Sequence, residues 1–141
     1  FDNRRTEAAQ LKRAFGGHPH MIVDTGSTRS IDMTYTSAAD LYLGDASSQI
    51  AEFLIHPRPC VFLNAHDVAW QGDENYRFWT LGPVLNQLET FSEDIDAAFS
   101  SHHAFVNLQK DYIRDTFDLT GDEPTAPVGA DAIVDFLRMA S

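Results

Sequence analysis

Between Leu43 and Gln49 the chain runs Gly44-Asp45-Ala46-Ser47-Ser48, small residues followed by two hydroxyls. Set between a strand and a helix, such a run suits an anion. The backbone can approach a ligand closely, and the first N–H groups of the helix have no internal partner. Hydroxyls from Ser47 and Ser48 would add donors at the positive end of the helix dipole, with Asp45 and Gln49 at the same junction. A diphosphate is the natural occupant; the plainer alternative makes one serine an N-cap and nothing more. Glu52 follows one helical turn after Ser48 and can face the same edge. There it would accept hydrogen bonds from ribose hydroxyls, or else it is a solvated helix glutamate.

Other groupings point elsewhere. Ile22-Val23-Asp24-Thr25-Gly26-Ser27 resembles the aspartic protease signature, in which aspartates from two such loops share one proton. A single copy would imply a homodimer of the retroviral type. Helical patterns flank the motif on both sides, however, and Leu41–Gly44 comes too soon after Asp24 to be the second apolar-apolar-Gly segment. The preferred expectation is that Gly26, Ser27 and Thr28 form a strand-end loop near a nucleotide base. The six histidines show no helical His-x-x-x-His spacing, and Cys60 has no partner cysteine. No metal site is expected, and His18, His20, His56, His102 and His103 read as surface or capping residues. His66-Asp67 is kept as a ligand-edge pair. A nucleophile elbow Gly-x-Ser-x-Gly is absent. The two lysines, Lys12 and Lys110, are not placed for a phospho-acceptor site.

These residues need elements to position them. Residues 4–15 read as a helix through Ala8, Leu11 and Phe15, stopped by Gly16-Gly17. Met21-Ile22-Val23 reads as a buried strand, and residues 30–39 as a helix with Ser30 as N-cap. Leu41-Tyr42-Leu43 is a second strand. A helix from Ser47-Ser48 through Ile50, Phe53 and Leu54 follows, then a strand at Cys60-Val61-Phe62-Leu63. Strands that read as continuous apolar runs belong to a parallel sheet covered on both faces. Right-handed crossovers would bring Asp24–Ser27, Gly44–Ser48 and Asn64–Asp67 to one edge. The expectation is therefore an α/β fold, a Rossmann-like parallel sheet with helices on both faces.

Beyond Asn64, an aperiodic stretch to about Leu81 holds Trp70, Tyr76, Phe78 and Trp79, and a loop this long is usually functional or packed as its own unit. Val84-Leu85 suggests a short final strand. Thr90-Phe91-Ser92-Glu93 matches a capping box. Residues 103–117 read as a helix, 120–127 as a loop, and 128–139 as a closing helix burying Ile133, Phe136 and Leu137. With no repeat or linker, residues 1–141 read as one domain.

Composition narrows the partners. The 141 residues carry a formal charge of −11, all of it in residues 45–141. Such a field argues against nucleic acid and against anionic membranes, yet backbone N–H groups can still hold a phosphate. No apolar run is long enough to span a membrane. No cationic-then-apolar leader is seen, although the chain opens on Phe1 and not on Met. One cysteine fits a reducing compartment, and a cytoplasmic location is expected.

Ala39–Ser48 followed by Glu52-Phe53 resembles the aspartate–aromatic–Ser–Ser segment of the CDP-glycerol glycerophosphotransferases. Arg58-Pro59, the apolar strand Cys60–Leu63 and Asn64-Ala65-His66-Asp67 are similar to their Lys-Pro, strand and aromatic-x-x-Asp. Phe78-Trp79, Leu81-Gly82-Pro83-Val84 and the Asp118–Pro127 segment continue the likeness in order, over roughly residues 22–137. The resemblance implies the C-terminal, nucleotide-binding half of a GT-B transferase, acting with an N-terminal domain upstream and peripheral to the membrane through that half. It implies that Ser47 and Ser48 hold the diphosphate of a nucleotide-activated donor, CDP- or UDP-linked, without a further cofactor. Glu52 stands where the family has an acid on the same helix. The sequence departs from the family at Ala46, where it has tyrosine, and at Asn64, where it has an aromatic. A nucleotide sugar is accordingly as well fitted a donor as CDP-glycerol. The family's catalytic histidine lies in its N-terminal half, so the catalytic base would come from there. A non-catalytic flavodoxin- or Rossmann-like nucleotide-binding module is the alternative.

Overall fold

Cys60-Val61-Phe62 is apolar at every position, and in the computed structural model all three side chains are buried, as the centre strand of a sheet requires. The structure describes residues 2–45, 47–117 and 125–139. Ala46 and most of the expected 120–127 loop lie outside them. So does most of the Asp118–Pro127 segment of the family resemblance. Chain packing divides the protein into two units, Phe1–Ala39 and Asp40–Ser141.

The second unit holds a small α/β arrangement. Strands β1 (Tyr42–Gly44), β2 (Cys60–Leu63) and β3 (Val84–Leu85) form a parallel sheet in the order β1-β2-β3. Tyr42 pairs with Cys60, Gly44 with Phe62, and Leu63 with Leu85. Helix α4 (Gln49–Phe53) crosses from β1 to β2 and buries Ile50 and Phe53. Beyond its C-terminus, Arg58 takes over the carbonyl of Phe53: Nε donates to it at 3.2 Å, and the guanidinium sits 4.0 Å over the Phe53 ring. That contact ends the helix and starts the Pro57–Pro59 approach to β2.

Between β2 and β3 a 3₁₀ stretch (Glu74–Leu81) buries Trp79 and Leu81, with Asp73 capping it by accepting from the Asn75 N–H at 2.9 Å. Trp79 packs against Phe62, Trp70 and Tyr76 with ring centroids 4.8–6.4 Å apart. The long aromatic stretch is thus packed onto the central strand through Phe62, and not as a unit of its own. Each such fully buried side chain contributes about 1.5–3 kcal/mol. Gly82 then passes so close to β2 that a Cβ there would lie 2.2 Å from the Cys60 carbonyl oxygen. Helices α5 (Phe91–Ser101) and α6 (Val106–Phe117), joined by a 3₁₀ turn at His102–Ala104, add Ala98 and Ile113 to the core.

The first unit comprises α1 (Asp2–Phe15), α2 (Thr28–Ile31) and α3 (Thr34–Ala38). The expected helix over 30–39 is broken at Met33, which has φ 63°. Asp32 favours the break, because its carboxylate accepts from the Thr34 N–H at 3.0 Å and competes with helical continuation. Ser27, and not Ser30, is the cap: its hydroxyl accepts from the Arg29 N–H at 3.2 Å.

Three further expectations are corrected. Met21-Ile22-Val23 is not a strand; it pairs with no strand among the described residues, and Ile22 is 79% exposed. Thr90 does not form a capping box, because its hydroxyl donates to the Asp94 carboxylate at 2.9 Å instead of accepting from the backbone. The last helix, α7 (Thr125–Met139), has the anticipated periodicity, but Ile133, Phe136 and Leu137 are exposed and not buried. No described helix is long and apolar enough to cross a membrane.

Candidate functional site

Because all three strands run in parallel, Gly44, Leu63 and Leu85 end on the same edge of the sheet. Adjacent strands lie about 4.8 Å apart, so the loops leaving β1 and β2 emerge side by side. This brings Asp45, Ser47 and Ser48 to the edge that also carries Asn64, His66 and Asp67. The loop Asp24–Ser27 is not among them. Its strand does not form, so Gly26 and Ser27 follow no strand of this sheet.

At the β1 end, Tyr42 and Gly44 share one face of the strand, two residues apart. The Tyr42 phenol lies over Gly44, where a Cβ would meet the phenol oxygen at 2.5 Å. The ring is held between Phe53 and Phe62, 5.8 and 6.1 Å away. Its hydroxyl reaches the Ser47 side chain, and burial raises its pKa, with that hydrogen bond opposing the rise. Ser47 also accepts from the Gln49 N–H at 3.3 Å. The hydroxyls of Tyr42 and Ser47 therefore stand together where β1 leaves the sheet. Tyr42 was missed as a site residue; its signal is a glycine two positions downstream on the same strand face.

Ser48 occupies the N-cap position of α4, but its hydroxyl makes no capping bond and is exposed. That hydroxyl is not consumed by the helix, although a helix of five residues carries little macrodipole. Gln49 and Glu52 are exposed on the same helix.

At the β2 end, Asn64 is 2% exposed and spends its whole amide on its own loop. Its Nδ2 donates to the Val68 carbonyl at 3.0 Å, and its Oδ1 accepts from the Val68 N–H at 2.8 Å. The Asn64 N–H donates to Leu85 at 2.8 Å and ties the loop to β3. This closure presents His66 and Asp67 to solvent, Asp67 with φ 49°. Asn64 thus shapes the edge and does not read a ligand directly.

The loop of the first unit has its own geometry. The Asp24 carboxylate accepts from the N–H groups of Gly26 and Ser27 at 2.9 and 2.8 Å and from the Ser27 hydroxyl. These bonds, with one from Tyr35, hold its pKa far below the usual carboxylate value. The N–H groups that would suit a phosphate are occupied by the chain's own carboxylate.

At the opposite ends of the strands, where the chain enters β2 and approaches β3, a residue with no sequence signal organises the core. Gln109 is fully buried. Its Nε2 donates to the carbonyls of Arg58 and Leu81 at 3.0 and 2.9 Å, which fixes the amide orientation and leaves Oε1 for His102 Nε2 at 3.0 Å. His102 must then donate through Nε2. Cys60 completes the group, its thiol donating to Leu81 at 3.2 Å, and burial pushes its pKa up to about 12. Among the described residues, no His, Cys, Asp and Glu side chains form a group of three or more able to hold a metal ion. No family model, curated protein or solved structure matches this chain.

Proposed function

We propose that the edge formed by Asp45–Gln49 and Asn64–Asp67 binds the diphosphate of a nucleotide-activated donor, as the C-terminal, Rossmann-like half of a GT-B glycosyl- or glycerophosphotransferase. The observation that carries the reading is the parallel alignment of β1 and β2, which makes the two loops neighbours at the strand C-termini. Open α/β sheets bind ligands at that edge. The hydroxyls of Tyr42 and Ser47 and the uncommitted hydroxyl of Ser48 are the donors. Glu52 is the acceptor for ribose hydroxyls, and His66 and Asp67 line the adjoining loop. In glycosyl transfer the acceptor oxygen bonds to the sugar's anomeric carbon, the bond from that carbon to the diphosphate breaks, and a nucleoside diphosphate leaves. In glycerophosphate transfer the acceptor oxygen bonds to the outer phosphorus, the anhydride bond within the diphosphate breaks, and a nucleoside monophosphate leaves. In both, the acceptor's proton goes to the base and negative charge develops on the leaving phosphate. Donors fixed before that moment lower the barrier. The catalytic base belongs to the other half of the enzyme.

Two features of the family resemblance weigh on the donor. Asn64 is spent on its own loop, so it replaces no aromatic stacking surface. Ala46 cannot supply the family's phenol, but Tyr42 brings one to Ser47 from the strand. The aspartic protease alternative lacks comparable support, since helices flank Asp24 and its carboxylate is engaged by its own loop.

Isothermal titration with CDP, UDP and GDP tests the proposal. At least one should bind. The double variant Ser47→Ala, Ser48→Ala should weaken binding by about 1–3 kcal/mol if both hydroxyls contact the diphosphate. A folded protein that binds none of the three would sink the reading. A non-catalytic module would bind equally well, and would differ in failing to turn over donor when joined to its N-terminal half.

A further inference from the structure

In the first unit, a cavity of about 570 Å³ opens between the last turn of α1, the loop at 22–28 and helices α2 and α3. Its volume falls in the range of about 300–1,000 Å³ usual for small-molecule sites. Lys12, Arg29, Asp24 and Tyr35 line it, with Val23 and Thr28 among the rest. Three observations bear on its occupant. The two cations outnumber the one carboxylate, so the lining is net positive in a chain of charge −11. Among the described residues, neither Lys12 nor Arg29 forms a salt bridge, Arg29 acting on the nearby Asp32 carboxylate only through its field; the salt bridges belong to Arg114 and Arg138. Asp24 forms no salt bridge with either cation; its oxygens accept from Gly26, Ser27 and Tyr35, and its charge leaves the lining net positive by one.

We propose that this cavity is an anion site for a phosphomonoester on a small organic body, with Lys12 and Arg29 holding the phosphate. A phosphate dianion, with its several acceptor oxygens, suits a lysine point charge beside a planar guanidinium better than a single carboxylate does. The cavity is larger than inorganic phosphate needs. Val23, Ile22 and the Tyr35 ring offer the remaining space an apolar wall, and the Thr25 and Thr28 hydroxyls add polar contacts. Asp24 has a positioning role: its fixed carboxylate holds the loop in the shape that leaves the cavity open. Gly26, at φ 123°, makes that shape accessible. Every residue used here lies between positions 12 and 35, so the inference stands apart from the diphosphate edge of the second unit.

The test is a titration of the full chain with ribose 5-phosphate, followed through backbone amide signals, with ribose and inorganic phosphate as parallel probes. Ribose 5-phosphate should shift Gly26, Thr28 and Arg29 saturably, inorganic phosphate more weakly, and ribose not at all. The exposed pair Lys12→Ala, Arg29→Ala should raise the Kd about ten-fold or more, whereas Ser47→Ala, Ser48→Ala should leave it unchanged. Raised salt should weaken binding. The absence of a saturable shift at millimolar ribose 5-phosphate would overturn the proposal. So would an unchanged Kd in the Lys12, Arg29 variant, or a response confined to the second unit.

Discussion

Replacing Gln109 by methionine removes its amide and nearly keeps the side-chain volume. Three hydrogen bonds disappear, to Arg58 O, Leu81 O and His102 Nε2. At about 0.5–1.5 kcal/mol each they amount to roughly 1.5–4.5 kcal/mol. The carbonyls left behind are not equal. Leu81 keeps the Cys60 thiol as a donor, and His102 is partly exposed and can turn to water. Loss of the Gln109 donor at Arg58 O is counted within that range, and the extra apolar burial of methionine offsets part of the total. The expected loss is about 3 kcal/mol, read as a lowered midpoint with unchanged slope in urea unfolding. Gln109→Glu should cost more at neutral pH, because an ionised carboxylate would face two carbonyl oxygens. Burial raises the folded pKa of the introduced carboxyl, so that variant should recover stability as pH falls. His102→Ala should cost only about 0.5–1.5 kcal/mol. A Gln109→Met loss under about 1 kcal/mol would refute the claim that this amide ties β2, the 3₁₀ stretch and α6 together.

Other outcomes follow from the same geometry. Gly82→Ala should destabilise the second unit by about 1–3 kcal/mol in urea unfolding, through a clash with the Cys60 carbonyl and thiol and not through backbone strain. The Cys60 thiol, buried and raised to about 12, should react with a thiol reagent at pH 8 about a hundred-fold more slowly in folded protein than in urea. Asp24 is depressed below its ordinary 3.8, so its contribution is present above that value and lost as pH falls through the folded pKa. Amide protection at Gly26 and Ser27 should thus persist down to about pH 4 and vanish only in stronger acid, whereas Asp24→Ala should abolish it throughout.

The strands of the sheet were legible because Cys60–Leu63 and Val84-Leu85 are apolar runs bounded by turn residues, and both pair as anticipated. Met21-Ile22-Val23 has the same local signature and forms no strand, since an apolar run says nothing about whether a neighbour is available. The α7 periodicity was similarly readable, but a periodic face does not reveal what, if anything, covers it. The parallel-strand argument set the chain leaving β1 beside the chain leaving β2, as their pairing shows, but the same argument wrongly brought Asp24–Ser27 to that edge. Hidden from the sequence were the residues that act over long separations. Gln109 bonds Arg58 and Leu81 across 51 and 28 positions. A polar residue on an amphipathic helix looks solvated until its partners are known. Asn64 was hidden for a related reason: its place after the strand marks it only as an edge residue, and its bonds to Val68 show that the side chain turns inward to fold its loop.

The central claim is that a nucleoside diphosphate sits on the edge where β1 and β2 end. A two-dimensional amide titration with CDP and UDP measures this most directly. The account predicts saturable shifts concentrated at Asp45, Ser47, Ser48 and Gln49, with a second group at His66 and Asp67. Saturable shifts that leave both loops untouched, or no shift at millimolar nucleotide, would contradict it.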